Sequence, residues 1–362
     1  MDKYDIAQIG IYPPPYGGIS IHIKRLKQYL DKDKVTYIIY TNNGNDYKKN
    51  DRIFNVRNQY VFYFTFYIIN KCKIVHYHDL NWKKRFLLSF LKPKKIKLIF
   101  TFHSFRDDIY NINYIYKYMH RVVYKKANVI IAVSQSIKEK LIQDGCDENK
   151  IKVVPAIIFP LKIQDVKKDE HFKSIKKFQS LHNIIFIANS SNNNHFNGED
   201  LYGIDMCIEL VNKFHQKNIN VGFLFFISNI SDRGYFDKLN KLICRYTIND
   251  NFMFINSKVE LIAYIKEISD NSKDIFLRPT NTDGDAISIR EALYLKIPVI
   301  ASDVVQRPEG TILFKTRDIE NLYNKTVHVI ENYDLYKEKL GDIKIEDNSE
   351  KILDIYKKLM NS

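Results

Sequence analysis

Residues 276–293 carry the side chains and backbone best suited to holding an activated phosphate. An apolar run ends at Leu277 and leads into a loop rich in Pro, Thr, Asn, Asp and Gly. The pattern then predicts a helix from about Ala286 to Leu295, capped by Asp285. The first backbone amides of such a helix have no partner within it, so they can hold a diphosphate without a metal ion. Those amides belong to Ala286, Ile287 and Ser288.

Two carboxylates flank these amides, Asp283 on the loop and Glu291 eight residues later. A carboxylate at the position of Glu291 can accept hydrogen bonds from two vicinal hydroxyls, such as those of a ribose. Asp283 is expected nearer the reacting end of the ligand. The alternative for Glu291 is an ion pair on the helix surface, which its apolar neighbours Ile287, Ile289 and Leu293 disfavour.

The first strand-to-helix turn offers a second place for backbone binding. Three prolines precede Gly17 and Gly18, whose N–H groups can approach a ligand closely because no Cβ intervenes. Ser20 is placed to cap the helix that follows, and His22 is assigned to the acceptor side. The turn lacks the GxGxxG pattern, so a nicotinamide or flavin cofactor finds no support there.

Histidines follow two further predicted strands. His103 ends the run 97–102, where an imidazole can hydrogen-bond sugar hydroxyls or a phosphate oxygen, or can be a satisfied histidine at a strand end. His76 and His78 alternate along another strand, a pattern that could indicate a metal. No third ligand with supporting spacing is found, so we expect no metal and a structural or acceptor-side role, with His78 on the acceptor side.

The positive charge is concentrated in one half of the chain. Residues 1–177 carry 34 Lys/Arg against 16 Asp/Glu, whereas residues 178–362 carry 22 against 26. This asymmetry predicts that the N-terminal half faces an anionic partner. The segment Trp82–Lys95 places Trp82, Phe86, Phe90 and Leu91 near helical spacing beside six cations. This pattern is typical of an amphipathic helix on an anionic membrane, or of a surface helix whose apolar stripe lies in the core. No nucleic-acid-binding module is found, so we expect no nucleic acid partner.

Length and composition exclude several classes of protein. The 362 residues are 45% hydrophobic and 27% charged, which rules out disordered and collagen-like chains. Four cysteines, none in CxxC spacing, exclude a disulfide scaffold and favour a reducing cytosol. No signal peptide is recognised, and the longest apolar run, Val61–Ile69, is too short to span a bilayer. The expected location is therefore cytoplasmic, with peripheral attachment to the inner face of the plasma membrane as a further expectation.

Apolar runs alternate with helix-compatible segments in two series, which predicts two doubly wound α/β domains with a ligand cleft between them. The first series ends near Pro155, and the Lys/Asp-rich stretch 161–180 suits a linker. We therefore expect one Rossmann-like domain over 1–165 and a second over 180–345. Residues 346–362 are expected to form a helix that packs back toward the first domain.

Several motifs in register resemble glycosyltransferase family 4, a group of retaining enzymes with the GT-B fold. The resemblance covers nearly the whole chain. Its motifs are the Gly17-Gly18 loop with His22, the strand end at His103, Ala127–Ser134, Ile151–Pro155, the acidic pair Asp283 and Glu291, and Pro298–Ser302.

The resemblance implies transfer of a sugar from a nucleotide donor with retention of anomeric configuration. It also implies that the domain over 180–345 binds the nucleotide sugar and that the domain over 1–165 binds the acceptor. It implies that Glu291 holds the ribose, that Asp283 and His103 lie at the reacting centre, and that no protein nucleophile or metal is required. Stabilisation of the leaving diphosphate then falls to positioned amides and cations. The donor-side residues expected on this basis are Gly17, Gly18, Asn189, Arg278, Thr280, Asp285, Ala286, Ile287, Ser288, Glu291 and Arg307.

The chain departs from the family pattern at the diphosphate clamp. The family usually places an Arg after the first strand of the second domain and a Lys before a nearby Gly, whereas this chain has Asn189 and Tyr202 at the nearest positions. Asp283 also replaces the commoner Glu. Arg278 and Arg307 are the candidates to supply the missing positive charge.

The sequence thus predicts a hexosyltransferase-type enzyme that uses a UDP- or GDP-linked sugar and a glycan or lipid-linked acceptor in bacterial surface polysaccharide synthesis, such as capsule or lipopolysaccharide. A nucleotide-sugar 2-epimerase with the same fold is one alternative. A non-catalytic glycosyltransferase-like partner subunit is another, because the usual diphosphate clamp is absent.

Overall fold

The computed structural model describes residues 4–48, 51–105, 113–256, 260–268 and 273–362. The chain divides into two compact units, each built on a parallel sheet with helices packed against it. Unit 1 comprises Met1–Leu161 and Asp347–Ser362, and unit 2 comprises Lys162–Glu346. The predicted pair of Rossmann-like doubly wound α/β halves is confirmed.

Unit 1 contains a parallel sheet of seven described strands in the order β3-β2-β1-β4-β5-β6-β7. The strands are β1 (Tyr4–Ile9), β2 (Tyr37–Thr41), β3 (Ile53–Asn55), β4 (Cys72–Tyr77), β5 (Lys97–Phe102), β6 (Val129–Ala132) and β7 (Ile151–Val153). The helices between them are α1 (Gly18–Lys32), α2 (Gln59–Ile69), α3 (Trp82–Phe90), α4 (Tyr114–Lys126) and α5 (Gln135–Gln143).

The central strands of unit 1 are mostly buried because helices cover both faces of a parallel sheet. In β5, KLIFTF, every residue after Lys97 is buried. Helix α1 contributes Ile23, Leu26 and Leu30, which recur at helical spacing and pack in the same core as Ile6 of β1. This packing fixes the strand ends from which the loops of unit 1 emerge.

Unit 2 contains a second parallel sheet, ordered β12-β11-β8-β13-β14-β15, and a short hairpin of β9 and β10. Its strands are β8 (Ile184–Ser190), β9 (His195–Phe196), β10 (Glu199–Asp200), β11 (Val221–Ile227), β12 (Phe252–Ile255), β13 (Lys273–Arg278), β14 (Val299–Ser302) and β15 (Thr311–Phe314). Its helices are α6 (Glu170–Ser180), α7 (Ile204–Gln216), α8 (Arg233–Arg245), α9 (Leu261–Ile268), α10 (Ile287–Tyr294), α11 (Ile319–Glu331) and α12 (Tyr333–Gly341).

The stretch expected to be a linker is largely helical. Residues 170–180 form α6, whose N-terminus is capped by the Asp169 side chain, which accepts a hydrogen bond from the His171 amide. Ile175 is fully buried and packs in a core cluster of unit 2. The Lys-rich composition of this stretch reflects the solvent side of an amphipathic helix, so only residues before Asp169 remain without helix or strand.

The C-terminal helix α13 (Ser349–Met360) belongs to unit 1. Ile352, Leu353 and Tyr356 are buried in the same core cluster as α1. The Tyr356 hydroxyl lies 2.5 Å from Nδ1 of His76 on β4. The chain therefore leaves unit 1, forms unit 2 and returns to complete the core of unit 1.

Candidate active site

In unit 2, the end of strand β13, the loop that follows it and helix α10 together carry most of the predicted donor-side residues. Arg278 is the last residue of β13, and the loop from Pro279 to Ala286 leads into α10. Ser302, at the end of the adjacent strand β14, donates a hydrogen bond of 2.6 Å to the Thr280 carbonyl. The loop is thus held at the carboxyl ends of two neighbouring strands, which is where α/β sheets bind ligands.

Asp283 is clamped by the two arginines that were proposed as replacement cations. Arg278 Nε lies 3.1 Å from its Oδ2, and Arg307 Nη1 lies 2.8 Å from the same oxygen. The Gly284 amide donates to Oδ1 at 3.0 Å. Burial alone would raise the pKa of Asp283, but the two guanidinium groups outweigh it and hold this pKa well below its ordinary value. Asp283 is therefore ionised at any physiological pH.

The cluster retains a net positive charge because two guanidinium groups share one carboxylate. Arg307 also donates to the Ser302 carbonyl at 3.1 Å and to Thr280 Oγ1 at 3.1 Å, so its orientation is fixed. Arg278 and Arg307 are both largely buried. A pre-oriented cationic pair of this kind suits the charge that develops on a leaving phosphate.

The neutral residues Asn189 and Tyr202 both contact Arg278. Asn189 lies near the end of β8, and its carbonyl accepts a 2.9 Å hydrogen bond from Arg278 Nη1. The Arg278 guanidinium lies 5.3 Å from the centre of the Tyr202 ring, within cation–π range. Gly203 follows with φ of +68°, and a Cβ there would collide with the Pro279 carbonyl, so glycine is required. The Arg278 guanidinium thus fills the space next to both Asn189 and Tyr202.

The N-terminus of α10 differs in detail from the expected one. The N-cap is Ala286, which has no side-chain acceptor, and Asp285 is not the cap. Asp285 instead accepts from Arg290 Nε at 2.8 Å. Ser288 and Glu291 are buried on α10, with Glu291 only 1% exposed. The carboxylate predicted to hold a ribose is therefore inside the unit and not on the helix surface.

Unit 1 gathers three of the sequence-predicted histidines. His22 on α1, His78 after β4 and His103 after β5 have ring centres 5.0 to 5.7 Å apart, and His78 Nδ1 lies 3.4 Å from His103 Nε2. His22 Nδ1 lies 2.8 Å from the Ala156 carbonyl. Burial lowers the pKa of His22 to about 4, and burial together with the neighbouring histidines lowers the pKa of His78 and His103 well below its ordinary value. The three rings are therefore neutral at pH 7.

These three histidines are a group of described residues that could hold a metal ion, since a ligand nitrogen from each lies within 4.8 Å of the others. The sequence paired His78 with His76 and offered no third ligand at a supporting spacing, whereas folding places His78 beside His22 and His103. Neutral imidazoles can also hydrogen-bond sugar hydroxyls. The cluster thus has two possible chemistries, metal ligation and hydroxyl binding.

The glycine pair lies at the start of α1, where Gly17 is the N-cap. Ser20 does not cap the helix as expected but stands in its first turn, where its hydroxyl accepts from the Gly17 amide at 2.9 Å. A Cβ added at Gly18 would meet nothing within 4 Å, so its backbone is open to approach. Sequence reasoning missed Gly10, where a Cβ would meet Ile23 and lie 3.1 Å from the Cβ of His78. Its position directly after the first strand was the available signal.

The expectation that Trp82 belongs to an exposed interfacial face is wrong. Trp82 is 6% exposed and stacks on His120 of α4 with ring centres 3.5 Å apart. Arg85 is buried as well, with its guanidinium 3.8 Å from the centre of the Phe102 ring. The α3 stripe therefore belongs to the core, in agreement with the alternative stated for this segment, and only Phe90 at its end is strongly exposed.

Comparisons with known proteins agree with this architecture. Residues 16–158, within unit 1, match the family model described as Glycosyltransferase Family 4. An uncharacterized 41.2 kDa protein in the cps region of Klebsiella pneumoniae is 25% identical over 281 residues, which cover 74% of this chain and 71% of that protein.

Two solved structures are similar over almost the whole chain. A glycosyltransferase from Rickettsia africae has a TM-score of 0.73 at 19% identity and covers 99% of both chains. HepE from Anabaena, in complex with UDP-glucose, has a TM-score of 0.67 at 12% identity and covers 99% of this chain and 98% of its own. The two Rossmann-like units therefore have the GT-B fold.

Residues 16–158 are less than half of the chain, and the solved structures, at 19% identity or less, show the fold alone. Part of unit 1 is therefore similar to Glycosyltransferase Family 4, in a chain that has the GT-B fold. No helix in the described parts of the chain is both long and apolar enough to cross a membrane.

Proposed function

We propose that this protein is a glycosyltransferase that transfers a hexose from a UDP- or GDP-linked sugar, with retention of configuration, to a glycan or lipid-linked acceptor of a bacterial surface polysaccharide at the inner face of the plasma membrane. The similarity to HepE, whose structure holds UDP-glucose, supports a nucleotide-sugar donor. The relative encoded in a cps region supports polysaccharide synthesis. The assignment of the acceptor to unit 1 and of the donor to unit 2 belongs to the same proposal.

The observation that carries the proposal is the Arg278–Asp283–Arg307 cluster beside the N-terminus of α10. In a retaining transfer without a protein nucleophile, the barrier falls when the charge on the departing diphosphate is stabilised. Two fixed guanidinium groups that share one carboxylate provide that stabilisation, and the α10 amides add to it. No metal ion is needed for this step in the proposed mechanism.

The remaining residues take positioning roles in the proposal. Glu291 accepts hydrogen bonds from the ribose hydroxyls. Because Glu291 is buried, each of these hydrogen bonds contributes strongly to binding, since leaving a buried polar group unpaired costs free energy. His103 and Asp283 lie near the transferred sugar. The neutral ring of His103 can accept or donate a hydrogen bond to a sugar hydroxyl without adding charge.

Calorimetric titration of the full chain with UDP, GDP and their sugars tests the proposal. We expect one nucleotide class to bind, with Arg278→Gln and Arg307→Gln each weakening binding at least tenfold. Arg317→Gln is the matched control, since Arg317 is in the same unit and its carboxylate partners are Asp205 and Glu199. Binding that is absent, or unaffected by the first two variants, favours the non-catalytic partner subunit.

Product analysis separates transfer from epimerisation. We expect release of free nucleotide diphosphate only when an acceptor is present, with the anomeric configuration retained in the product by NMR. Formation of the 2-epimer of the donor sugar without an acceptor would instead support the nucleotide-sugar 2-epimerase.

A further inference from the structure

Helix α2 is apolar around almost its whole circumference and yet lies on the surface of unit 1. Its sequence, QYVFYFTFYII, contains two residues that are neither aromatic nor aliphatic, but only Tyr63 and Phe66 are buried. A helix that is apolar on all sides is normally enclosed by protein or lipid. The exposed residues, here named the α2 face, are Tyr60, Val61, Phe64, Ile68 and Ile69.

The exposure of the α2 face is large for single residues and continuous along the helix. Tyr60 is 80% exposed, Phe64 58% and Ile68 81%. These positions are separated by four residues each, so they lie in one row on the helix. Isolated apolar residues on a surface are ordinary, whereas a contiguous aromatic and aliphatic row marks an interaction site.

Helix α3 lies beside α2 and brings cations to its border. The Tyr67 hydroxyl donates to the Leu88 carbonyl at 2.8 Å, and Lys84 Nζ lies 5.8 Å from the centre of the Tyr63 ring. Between Arg52 and Lys97 the chain carries 11 Lys/Arg and a single acidic residue, Asp79. Unit 1 as a whole carries 31 Lys/Arg against 16 Asp/Glu, whereas unit 2 carries 25 against 26.

We infer that the α2 face docks on an anionic lipid bilayer, with α2 lying in the plane of the interface. Helix α2 has 11 residues and rises about 16 Å, too short to span a bilayer but suited to resting at the headgroup boundary. The surrounding cations bind anionic headgroups, and each is worth about 1 kcal/mol near such a surface. Exposed Tyr and Phe beside Ile and Val match the chemistry of that boundary.

Charge and side-chain type select lipid over other partners. A second copy would bring an equally basic segment against this one, so like-charge repulsion opposes self-association. Single-stranded nucleic acid would use the cations and stacked rings, but Val61, Ile68 and Ile69 offer it no stacking surface. A fluid anionic bilayer accommodates aromatic, aliphatic and cationic groups together.

The inference deepens the proposed function by naming a partner of unit 1, and it replaces the Trp82–Lys95 segment as the apolar contact with lipid. Its test does not depend on catalysis, because lipid binding can be measured on the full chain without substrates. A chain that binds vesicles but transfers no sugar would count against the proposed reaction and not against the docking face.

Cosedimentation with vesicles measures the docking. The experiment compares the wild type with two double variants on phosphatidylcholine vesicles with and without 30 mol% phosphatidylglycerol. One double variant is Phe64→Ser with Ile68→Ser, and the other is Lys94→Glu with Lys95→Glu. All four positions are exposed, so the variants should fold. The matched control is Leu181→Ser with Leu335→Ser, two exposed leucines of unit 2.

We expect the wild type to bind only the vesicles that contain phosphatidylglycerol. The Phe64/Ile68 and Lys94/Lys95 double variants should each partition at least tenfold less onto these vesicles, and the Leu181/Leu335 control should bind like the wild type. In a Phe64→Trp variant, brominated lipids should quench the additional fluorescence. Equal binding to both vesicle types, or retention of binding in the Phe64/Ile68 variant, overturns the inference. If the wild type does not bind vesicles, a dimer that dissociates in the Phe64/Ile68 variant would assign the α2 face to a second copy of the chain. Single-stranded oligonucleotide binding that this variant abolishes would assign the α2 face to nucleic acid.

Discussion

Replacing Asp283 with Asn is expected to destabilise unit 2 while strengthening its binding of a nucleoside diphosphate. Asp283 accepts from Arg278 at 3.1 Å, from Arg307 at 2.8 Å and from the Gly284 amide at 3.0 Å. Removing one partner of a buried ion pair costs about 3–5 kcal/mol. Asn keeps one acceptor oxygen, so we expect a loss near the lower end, about 3 kcal/mol. For a unit of 185 residues this corresponds to a decrease of roughly 6–12 °C in Tm.

The same substitution raises the charge of the cluster from one net positive charge to two. A diphosphate can then take the place of the missing carboxylate, and one further charge-assisted hydrogen bond of at least about 1.4 kcal/mol gives roughly tenfold tighter binding. Transfer should nevertheless slow, because the carboxylate that orients both guanidinium groups is gone. Loss of stability combined with gain of affinity distinguishes this network from a merely structural ion pair.

The only Trp of the chain, Trp82, allows the two units to be followed separately. Trp82 lies in unit 1, so its fluorescence reports unfolding of that unit, whereas far-UV circular dichroism reports both units. Asp283→Asn should shift the dichroism transition of unit 2 and leave the fluorescence transition in place. Asp205→Asn, which breaks the pair with Arg317 in the same unit, is the control that should leave nucleotide affinity unchanged.

The stabilisation that Asp283 provides should depend on pH. The folded-state pKa of Asp283 lies below its unfolded value, so its stabilisation is present above about pH 4 and is lost as the pH falls further. The difference in unfolding free energy between wild type and Asp283→Asn should therefore be constant from pH 5 to 8 and shrink only below pH 4. A variant with wild-type stability and unchanged UDP affinity would refute the network.

Three further outcomes are expected. Since the pKa of His22 falls from 6.5 unfolded to about 4 folded, this residue should contribute a loss of about 3 kcal/mol from unit 1 as the pH falls from 6.5 to 4, in addition to the loss from His78 and His103. Measured by Trp82 fluorescence, the loss should be smaller by that amount in His22→Phe, and an equal loss in wild type and variant would contradict neutral burial of His22. Glu291→Gln should reduce the ratio of affinities for UDP over its deoxyribose analogue about tenfold, and an unchanged ratio would remove Glu291 from the ribose site. Dialysis against EDTA should leave the transfer rate unchanged, whereas a loss restored by Zn²⁺, and abolished in His78→Ala, would assign a metal to the His22/His78/His103 cluster.

The fold could be predicted from the sequence because its central strands are long, apolar and buried on both faces. The run 221–227, VGFLFFI, is fully buried and forms β11 over those same residues. The edge strand β12 was predicted, but the edge strands β3, β7 and β15 were not. Each of these three has only three or four residues, at least one of them exposed, so the apolar continuity that marks a strand is missing.

The candidate site was predictable only where its residues share one segment. Asp283 and Glu291 lie on one strand–loop–helix passage, so spacing alone relates them. Arg307 bonds Asp283 from 24 residues away, through the loop after β14, and no local pattern predicts that contact. The histidines show the same limit, because His22, His78 and His103 follow or lie on three different elements that only the order of the sheet brings together.

The departures from the family 4 pattern are connected through one residue, Arg278. It donates to the Asn189 carbonyl, lies over the Tyr202 ring and pairs with Asp283, which are the three positions where this chain differs from the usual Arg, Lys and Glu. β13 pairs with β8 such that Phe276 is opposite Ile187, so Arg278 stands beside Asn189 at the neighbouring strand end.

A cation expected at the end of β8 is therefore supplied by the adjacent strand. The neutral Asn189 and Tyr202 make room for that guanidinium, since a cation at either position would repel it at close range. An aspartate at 283, one methylene shorter than glutamate, brings its carboxylate within 3.1 Å of an arginine five residues earlier. In the proposed mechanism, the three differences are one rearrangement of the diphosphate clamp and not its loss, which is why we propose an active transferase in preference to a non-catalytic subunit.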